Sequence, residues 1–107
     1  MSFELEDLAN IIRDRRDAAA EKSYTRSLFE GGLPRISKKF GEEAVETVIA
    51  ALSQDDASLR GEIADLLYHL LVLMEARDIS LKDVLEELER RTSRSGHEEK
   101  ASRGAAP

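Results

Sequence analysis

The chain is short of several residue types, and each shortage excludes a class of function. Its 107 residues include no cysteine, which excludes disulfide bonds, thiolate zinc sites and a cysteine nucleophile. Basic residues are in deficit, because 22 acidic and 16 basic side chains give a net charge of −6. That balance argues against nucleic acid or an anionic membrane as the main partner. The length suits one domain with its own apolar core.

Long hydrophobic runs are also missing. No apolar stretch approaches the roughly 18 residues that a membrane-spanning helix needs. The first ten residues carry three acids and no basic segment, so they do not resemble a secretory signal peptide. We therefore expect a soluble cytoplasmic protein that neither binds nucleic acid nor enters a membrane.

Proline is rare, and long stretches of Leu, Ala, Glu, Lys and Arg predict an all-α chain. Asp55 or Asp56 is the expected N-cap of the third helix, and Ser80 that of the fourth. A less regular stretch with Ser23, Tyr24 and Thr25 precedes the second helix. The four predicted helices cover about 4–20, from 34–37 to 52, 58–77, and from 80 to 91. Residues 1–92 form the predicted domain, and residues 93–107 a flexible C-terminal tail.

The third predicted helix differs from an ordinary surface helix. Residues 63–74 read IADLLYHLLVLM and are apolar nearly all round, which is typical of a central helix in a bundle. Besides Tyr68, the only ionisable residues in this run are Asp65 and His69. A buried carboxylate must be paired, protonated or bound to a metal ion, so Asp65 is a candidate functional residue.

Two acidic pairs have the same spacing on consecutive predicted helices. Glu43 and Glu46 lie three residues apart, as do Glu62 and Asp65, so each pair shares one helix face. In an antiparallel hairpin the two pairs can face each other, and their repulsion then favours a cation between them. Oxygen ligands without a His/Cys set indicate Mg²⁺, or Mn²⁺ as a substitute.

Each of these features also has a plainer explanation. Acidic helix faces are usually solvated, and Asp65 is also compatible with a buried residue held by a hydrogen bond or a salt bridge, but the two pairs taken together favour a metal ion. His69 is expected to hydrogen-bond a carboxylate rather than to bind metal. We expect Glu42 to pair with Lys38 on the surface.

Lys38 and Lys39 lie at the start of the second predicted helix, where the helix dipole disfavours cations. An anion bound at this end explains their position, because helix N-termini bind phosphate, but solubility explains it equally well. An acidic site beside lysines in a small helical frame predicts phosphate chemistry, in which a metal ion reconciles the acidic protein with its acidic substrate.

These residues together resemble phosphoribosyl-ATP pyrophosphohydrolase, the second-step enzyme of histidine biosynthesis. That enzyme belongs to the MazG-like all-α NTP pyrophosphohydrolases, whose signature is E-x-x-E followed by E-x-x-D. The resemblance covers about residues 5–91, and Ser95-Gly96 with 99–103 also resembles the family's C-terminal end. The strings that carry it are Ser23-Tyr24-Thr25, Lys38-Lys39-Phe40-Gly41-Glu42-Glu43-Ala44 with Glu46, and Ala64-Asp65-Leu66 with Tyr68-His69-Leu70-Leu71-Val72-Leu73.

The resemblance implies a four-helix protomer assembled as a homodimer or larger. It implies hydrolysis of 1-(5-phosphoribosyl)-ATP to phosphoribosyl-AMP and pyrophosphate. Mg²⁺ would be held by Glu43, Glu46, Glu62 and Asp65, with Glu46 or Glu43 as the catalytic carboxylate that orients or deprotonates water. Candidate substrate-binding residues are Lys38, Lys39, Arg13, Tyr24, Thr25, Arg26, His69, Lys100 and Arg103.

Two other functions remain open at this point. One is a general house-cleaning NTP pyrophosphatase of the same superfamily. The other is a non-catalytic helical dimerisation module whose acidic residues form a solvated face.

Overall fold

A computed structural model describes residues 2–17 and 23–93. Within these ranges the chain forms four helices and no strand: α1 (Leu5–Arg16), α2 (Tyr24–Ser53), α3 (Asp56–Ala76) and α4 (Leu81–Thr92). The predicted all-α fold is therefore confirmed. Among the described helices, none combines the length and apolar character that crossing a bilayer requires.

Helix α1 is shorter than predicted. The Glu4 backbone N–H donates to the Asp7 side chain at 2.9 Å, which satisfies one of the free donors at the helix start. The helix ends at Arg16, and most of the expected extension to residue 20 lies outside the described residues. Basic side chains in the last turn favour this end through the helix dipole.

Helix α2 corrects the prediction of an irregular stretch around residues 23–33. Ser23 is an N-cap whose hydroxyl accepts from the Arg26 backbone N–H at 3.1 Å, and helix begins at Tyr24. Gly32 then interrupts the helix with φ 82° and ψ 174°, a conformation open to glycine and strained for other residues. Pro34 follows, where a helix start tolerates proline. The breakers therefore mark one kink between residues 24–31 and 33–53, rather than a long loop.

A tight turn joins α2 to α3. Asp55 caps α3 by accepting from the Ser58 backbone N–H at 2.8 Å, which confirms one of the two predicted N-caps. So short a connection makes the two helices antiparallel neighbours. The second part of α2, which carries Glu43 and Glu46, therefore lies along the N-terminal half of α3, which carries Glu62 and Asp65.

Helix α3 contacts both α1 and α2 and supplies three of the six residues of the buried core cluster, whereas Ile63 in its N-terminal half is exposed. Ser80 caps α4 by accepting from the Asp83 backbone N–H at 3.1 Å, also as predicted. Several large apolar side chains of α2 remain exposed in the single chain, with Leu52 83% accessible. The buried core residues are Ile12, Leu28, Ile36, Leu71, Val72 and Met74.

Candidate metal and substrate site

Three carboxylates from two helices converge between α2 and α3. One oxygen each from Glu43, Glu62 and Asp65 lies within 4.8 Å of the other two. Thr47, one turn after Glu43, joins the helices beside this cluster, because its hydroxyl lies 2.8 Å from the Glu43 carbonyl oxygen and 3.3 Å from that of Glu62. Three of the four predicted acidic residues thus meet as the hairpin geometry requires.

Burial in this cluster differs from the sequence-based expectation. Asp65 is exposed although an apolar run surrounds it, because it lies on the face of α3 that opens toward the cluster. Glu43 is the buried member, with 8% of its surface accessible. Within the described part of the chain, the buried Oε2 atoms of Glu43 and Glu62 have no hydrogen-bond partner. Buried polar atoms are nearly always paired, so these two oxygens are free to bind a cation.

Glu46 lies outside the group of three but interacts with it. Burial raises the pKa of Glu43, and the neighbouring carboxylates of Glu46 and Asp65 raise it further. Burial likewise raises the pKa of Glu62, and the negative charges of Glu46 and Asp65 add to the rise. All four acids therefore share one electrostatic environment in which each negative charge disfavours the others.

The donor set fits a hard divalent cation. Carboxylate oxygens alone suit Mg²⁺ or Mn²⁺, and a cation would satisfy both orphaned oxygens while relieving the repulsion. The cluster joins two helices and lies partly open to solvent at Asp65 and Glu46, so a phosphate chain has access to it. The arrangement can hold a metal ion and present it to an anionic ligand.

The two lysines lie at the edge of this site. Lys39 is one turn before Glu43 on α2, and its Nζ pairs with Glu42 Oε1 at 3.6 Å. The structure corrects the expected pairing of Glu42 with Lys38, because the cation beside Glu42 is Lys39, three residues earlier on the same helix. Lys38 is exposed on the same helix.

Tyr24 and His69 form a hydrogen-bonded pair one turn beyond Asp65. The Tyr24 hydroxyl lies 3.0 Å from His69 Nε2, and His69 Nδ1 lies 2.7 Å from the Asp65 carbonyl oxygen. Thr25 is buried, and its hydroxyl bonds that of Tyr68, so in this structure it is engaged inside the protein. His69 therefore contacts the backbone of an acidic residue, rather than a carboxylate as expected.

The two candidate arginines lie away from the carboxylates. Arg13 Nε pairs with Glu75 Oε1 at 3.1 Å. Glu75 is ten residues beyond Asp65, which corresponds to about 15 Å along α3. Arg26 donates to the Arg16 carbonyl oxygen at 2.8 Å and pairs with Glu30 at 3.3 Å. The remaining candidates, Lys100 and Arg103, lie outside the described residues.

Several contacts around the site escape sequence reasoning. Thr47 carries no signal of its own, although its position one turn after Glu43 places it on the face toward α3. Tyr68 stands out in the sequence as an ionisable residue and as part of the family resemblance, whereas the structure shows that its ring stacks on Tyr24 with centroids 6.2 Å apart. Glu75 attracts Arg13 and Arg16 together and fastens α1 to α3. No local pattern identifies a residue whose partner lies on another helix.

Comparison with known proteins agrees with this geometry. The sequence model of the family described as phosphoribosyl-ATP pyrophosphohydrolase matches residues 5–92, which contain all four acids of the site. Phosphoribosyl-ATP pyrophosphatase 1 of Bradyrhizobium diazoefficiens is 57% identical over 101 residues, covering 94% of this chain and 95% of the relative. Phosphoribosyl-ATP pyrophosphatases of Azorhizobium caulinodans and Agrobacterium fabrum are 54% and 52% identical, covering 92% and 95% of this chain and 91% and 95% of those relatives. Since the match spans the whole helical domain and its acidic site, this chain belongs to the phosphoribosyl-ATP pyrophosphohydrolase family.

Proposed function

We propose that this protein hydrolyses 1-(5-phosphoribosyl)-ATP to 1-(5-phosphoribosyl)-AMP and pyrophosphate, as a cytoplasmic enzyme of histidine biosynthesis. Family membership supports the substrate, since the relatives are named for that activity. The observation that carries the chemistry is the pair of buried, unpartnered oxygens of Glu43 and Glu62 in a cluster with Asp65. A solvated acidic face would leave no buried orphan atoms.

The cation that fits this cluster is Mg²⁺, with Mn²⁺ as a substitute, held by Glu43, Glu62 and Asp65 with Glu46 beside them. When bound, such an ion neutralises phosphate oxygens and makes water a better nucleophile. The chain's own contribution is to hold the carboxylates on two helices fixed by Thr47, so that the ligand geometry exists before substrate arrives.

Glu46 is the better candidate for orienting or deprotonating the attacking water, and Glu43 is the alternative. Glu46 is exposed at the edge of the cluster, where water has access, whereas Glu43 is buried beneath it.

Positive side chains would hold the phosphates. Lys39 and Lys38 precede Glu43 on α2, and Lys39 leaves its pairing with Glu42 at little cost because exposed ion pairs contribute little. Lys100 and Arg103 are additional phosphate ligands in this proposal. Arg13 and Arg26 would have to give up their present partners to join them.

The active assembly in this proposal is a homodimer or a larger oligomer. One face of α2 exposes four large apolar side chains at helical spacing, with exposed fractions between 50% and 83%. Surfaces of this kind usually mark an interaction site, and a second copy of the chain would cover them. The residues are Val45, Val48, Ile49 and Leu52.

A pyrophosphate-release assay tests the proposed activity directly. Purified protein should release pyrophosphate from phosphoribosyl-ATP in the presence of Mg²⁺. This release should stop when the cation is chelated. Parallel assays with dUTP and ordinary NTPs should give much slower release. No release from phosphoribosyl-ATP would overturn the proposal, and equal rates on all nucleotides would indicate a general pyrophosphatase instead.

A further inference from the structure

The hydrogen bonds of His69 determine which ring nitrogen carries hydrogen. The ring is buried, with 5% of the residue's surface accessible, and its two nitrogens face different partners. Nδ1 lies 2.7 Å from the Asp65 carbonyl oxygen, which can only accept, so Nδ1 must donate. In the neutral ring Nε2 is then the acceptor, and the Tyr24 hydroxyl at 3.0 Å donates to it.

This series of hydrogen bonds fixes the direction of the Tyr24 hydroxyl hydrogen. A phenol has one hydrogen, and with a neutral His69 ring it points inward to Nε2. Tyr24 is otherwise accessible, with 51% of the residue exposed, so the lone pairs of its oxygen remain available at the surface. A ligand there meets an acceptor and not a donor.

We propose that His69 is a positioning residue that holds the Tyr24 hydroxyl as a hydrogen-bond acceptor for a donor group of the nucleotide. This inference rests on the proposed function and deepens it. Phosphate oxygens carry no hydrogen near neutral pH, so Tyr24 does not bind the triphosphate. The groups of such a substrate that can donate are its sugar hydroxyls and the N–H groups of its base.

The proposal assigns Tyr24 to recognition of the nucleoside part of the substrate, while the carboxylates and lysines deal with its phosphates. His69 lies four residues after Asp65, which places the two about 6 Å apart along α3. A nucleotide with its phosphates at the carboxylates therefore brings a neighbouring sugar or base within reach of Tyr24.

Nitrogen NMR on the intact protein tests the tautomer without any substrate. The chain has only two histidines, His69 and His97, so a His97→Gln variant leaves one signal set to assign. In mildly alkaline buffer we expect Nδ1 of His69 to be protonated and Nε2 to be the acceptor. A protonated Nε2 with a bare Nδ1 would overturn the proposal.

Substitutions at His69 separate positioning from packing. Tyr24→Phe removes the acceptor and should raise KM about 3- to 10-fold while kcat changes little. His69→Gln retains an acceptor near the Nε2 position and should keep KM near that of the unmodified protein. His69→Asn retains only the donor near the Nδ1 position, so its KM should match that of Tyr24→Phe. The double variant Tyr24→Phe with His69→Asn should have a KM no higher than either single variant.

Tyr68→Phe is the matched control, because it removes a hydroxyl from the same aromatic group without touching His69 Nε2. It should lower Tm and leave KM unchanged. An unchanged KM in Tyr24→Phe, or equal KM in the Gln and Asn variants of His69, would overturn the proposal.

Substrate analogues lacking the 2′- or 3′-hydroxyl identify the donor. The KM penalty of Tyr24→Phe should vanish with the analogue that lacks the contacted hydroxyl, and should persist with both analogues if a base N–H is the donor. Absence of turnover by the unmodified protein would contradict the proposed function instead, and the NMR result would stand by itself.

Discussion

At the scale of single residues, the carboxylates distinguish an enzyme from an adaptor. Exposed acids on a helix tolerate their mutual repulsion because water screens it. Here Glu43 is buried, and burial together with its acidic neighbours raises its pKa and that of Glu62. The arrangement lowers the stability of the metal-free chain, a cost that the proposed cation site would explain.

Asp65→Asn should separate stability from activity. Removing one negative charge relieves repulsion on Glu43 and Glu62, so the metal-free variant should be as stable as the parent or more stable by about 0.5 kcal/mol. Turnover should fall by about 100-fold or more, because the lost group is a proposed direct ligand. Thermal melts in chelator and a pyrophosphate-release assay measure the two effects.

The matched control for Asp65→Asn is Glu42→Gln. Glu42 is exposed next to Glu43 and pairs with Lys39 at the surface, so its loss removes the same charge outside the cluster. It should leave turnover within about twofold of the parent, as is usual for exposed ion pairs. Normal turnover by Asp65→Asn would remove that residue from the site.

The raised pKa values also predict how pH affects stability. Both carboxyls titrate above the ordinary glutamate pKa of 4.5 in the folded protein, so the folded state retains protons that the unfolded chain releases. Their contribution to stability is therefore fully present below pH 4.5 and is lost as the pH rises through the raised values. The Tm of chelator-treated protein should fall as the pH increases above 4.5.

Adding Mg²⁺ should flatten or reverse this dependence, because the cation competes with protons for the same oxygens. Glu43→Gln should reduce the fall of Tm with rising pH in chelator-treated protein. Glu87 does not interfere, since its hydrogen bonds with Arg90 and Arg91 lower its pKa to about 2, and its contribution is lost only below pH 4.5. A Tm that rises with pH in metal-free protein would contradict mutual repulsion among these carboxylates.

At the scale of helices, one glycine allows α2 to serve two purposes. The break at Gly32 redirects the chain, so residues 24–31 bring Tyr24 to His69 while residues 33–53 carry Glu43 to Glu62 and Asp65. A straight helix has a single axis and cannot reach both places. The kink is therefore part of the site although it contacts no carboxylate.

Gly32→Ala should destabilise the protein by about 1–3 kcal/mol, because alanine is strained at φ 82° and ψ 174°. The added Cβ itself has room, with Pro34 Cδ 3.7 Å away, so the cost comes from backbone conformation. Gly61→Ala on α3 is the control, since that glycine is helical and faces open space, and it should stabilise by about 0.5–1 kcal/mol. Denaturant titration measures both values.

The helices show what local sequence can predict. Capping residues at Asp55 and Ser80 predicted the starts of α3 and α4 correctly, because a cap needs only a few neighbouring residues. The prediction that the stretch after Ser23 is irregular was wrong. Its helix is stabilised by burial of Thr25 and Leu28 against other helices, which no local pattern reveals.

In the acidic site, too, local sequence predicts some features and the packing between helices decides the others. Spacing of three residues identified the acidic pairs, since helix geometry alone places such residues on one face. The apolar run around Asp65 suggested that this residue is buried, but Glu43 is the buried acid. Burial depends on how two helices pack against each other, and the sequence of one helix does not contain that information.

At the scale of the whole molecule, the exposed apolar face of α2 predicts self-association. Leu52→Glu should weaken the proposed dimer by about 100-fold or more, because a symmetric interface loses the burial of two leucines at about 1.5–3 kcal/mol each. Leu52 is 83% exposed in the single chain, so the monomer should keep its fold. Light scattering across a dilution series measures the dissociation constant.

Gln54→Glu is the control for that variant, since it adds the same charge to an exposed residue at the end of the same helix. It should leave the dissociation constant within about threefold of the parent, as is typical at the rim of an interface. A monomeric parent protein at micromolar concentration would contradict the proposed assembly.

The bend in α2 also restricts how the gene can vary. Single-base changes in a glycine codon lead only to alanine, serine, valine, cysteine, aspartate, glutamate, arginine, tryptophan or a stop. None of these residues adopts the backbone angles of Gly32 without strain. Every non-synonymous single-base change at this codon is therefore expected to cost stability through the backbone.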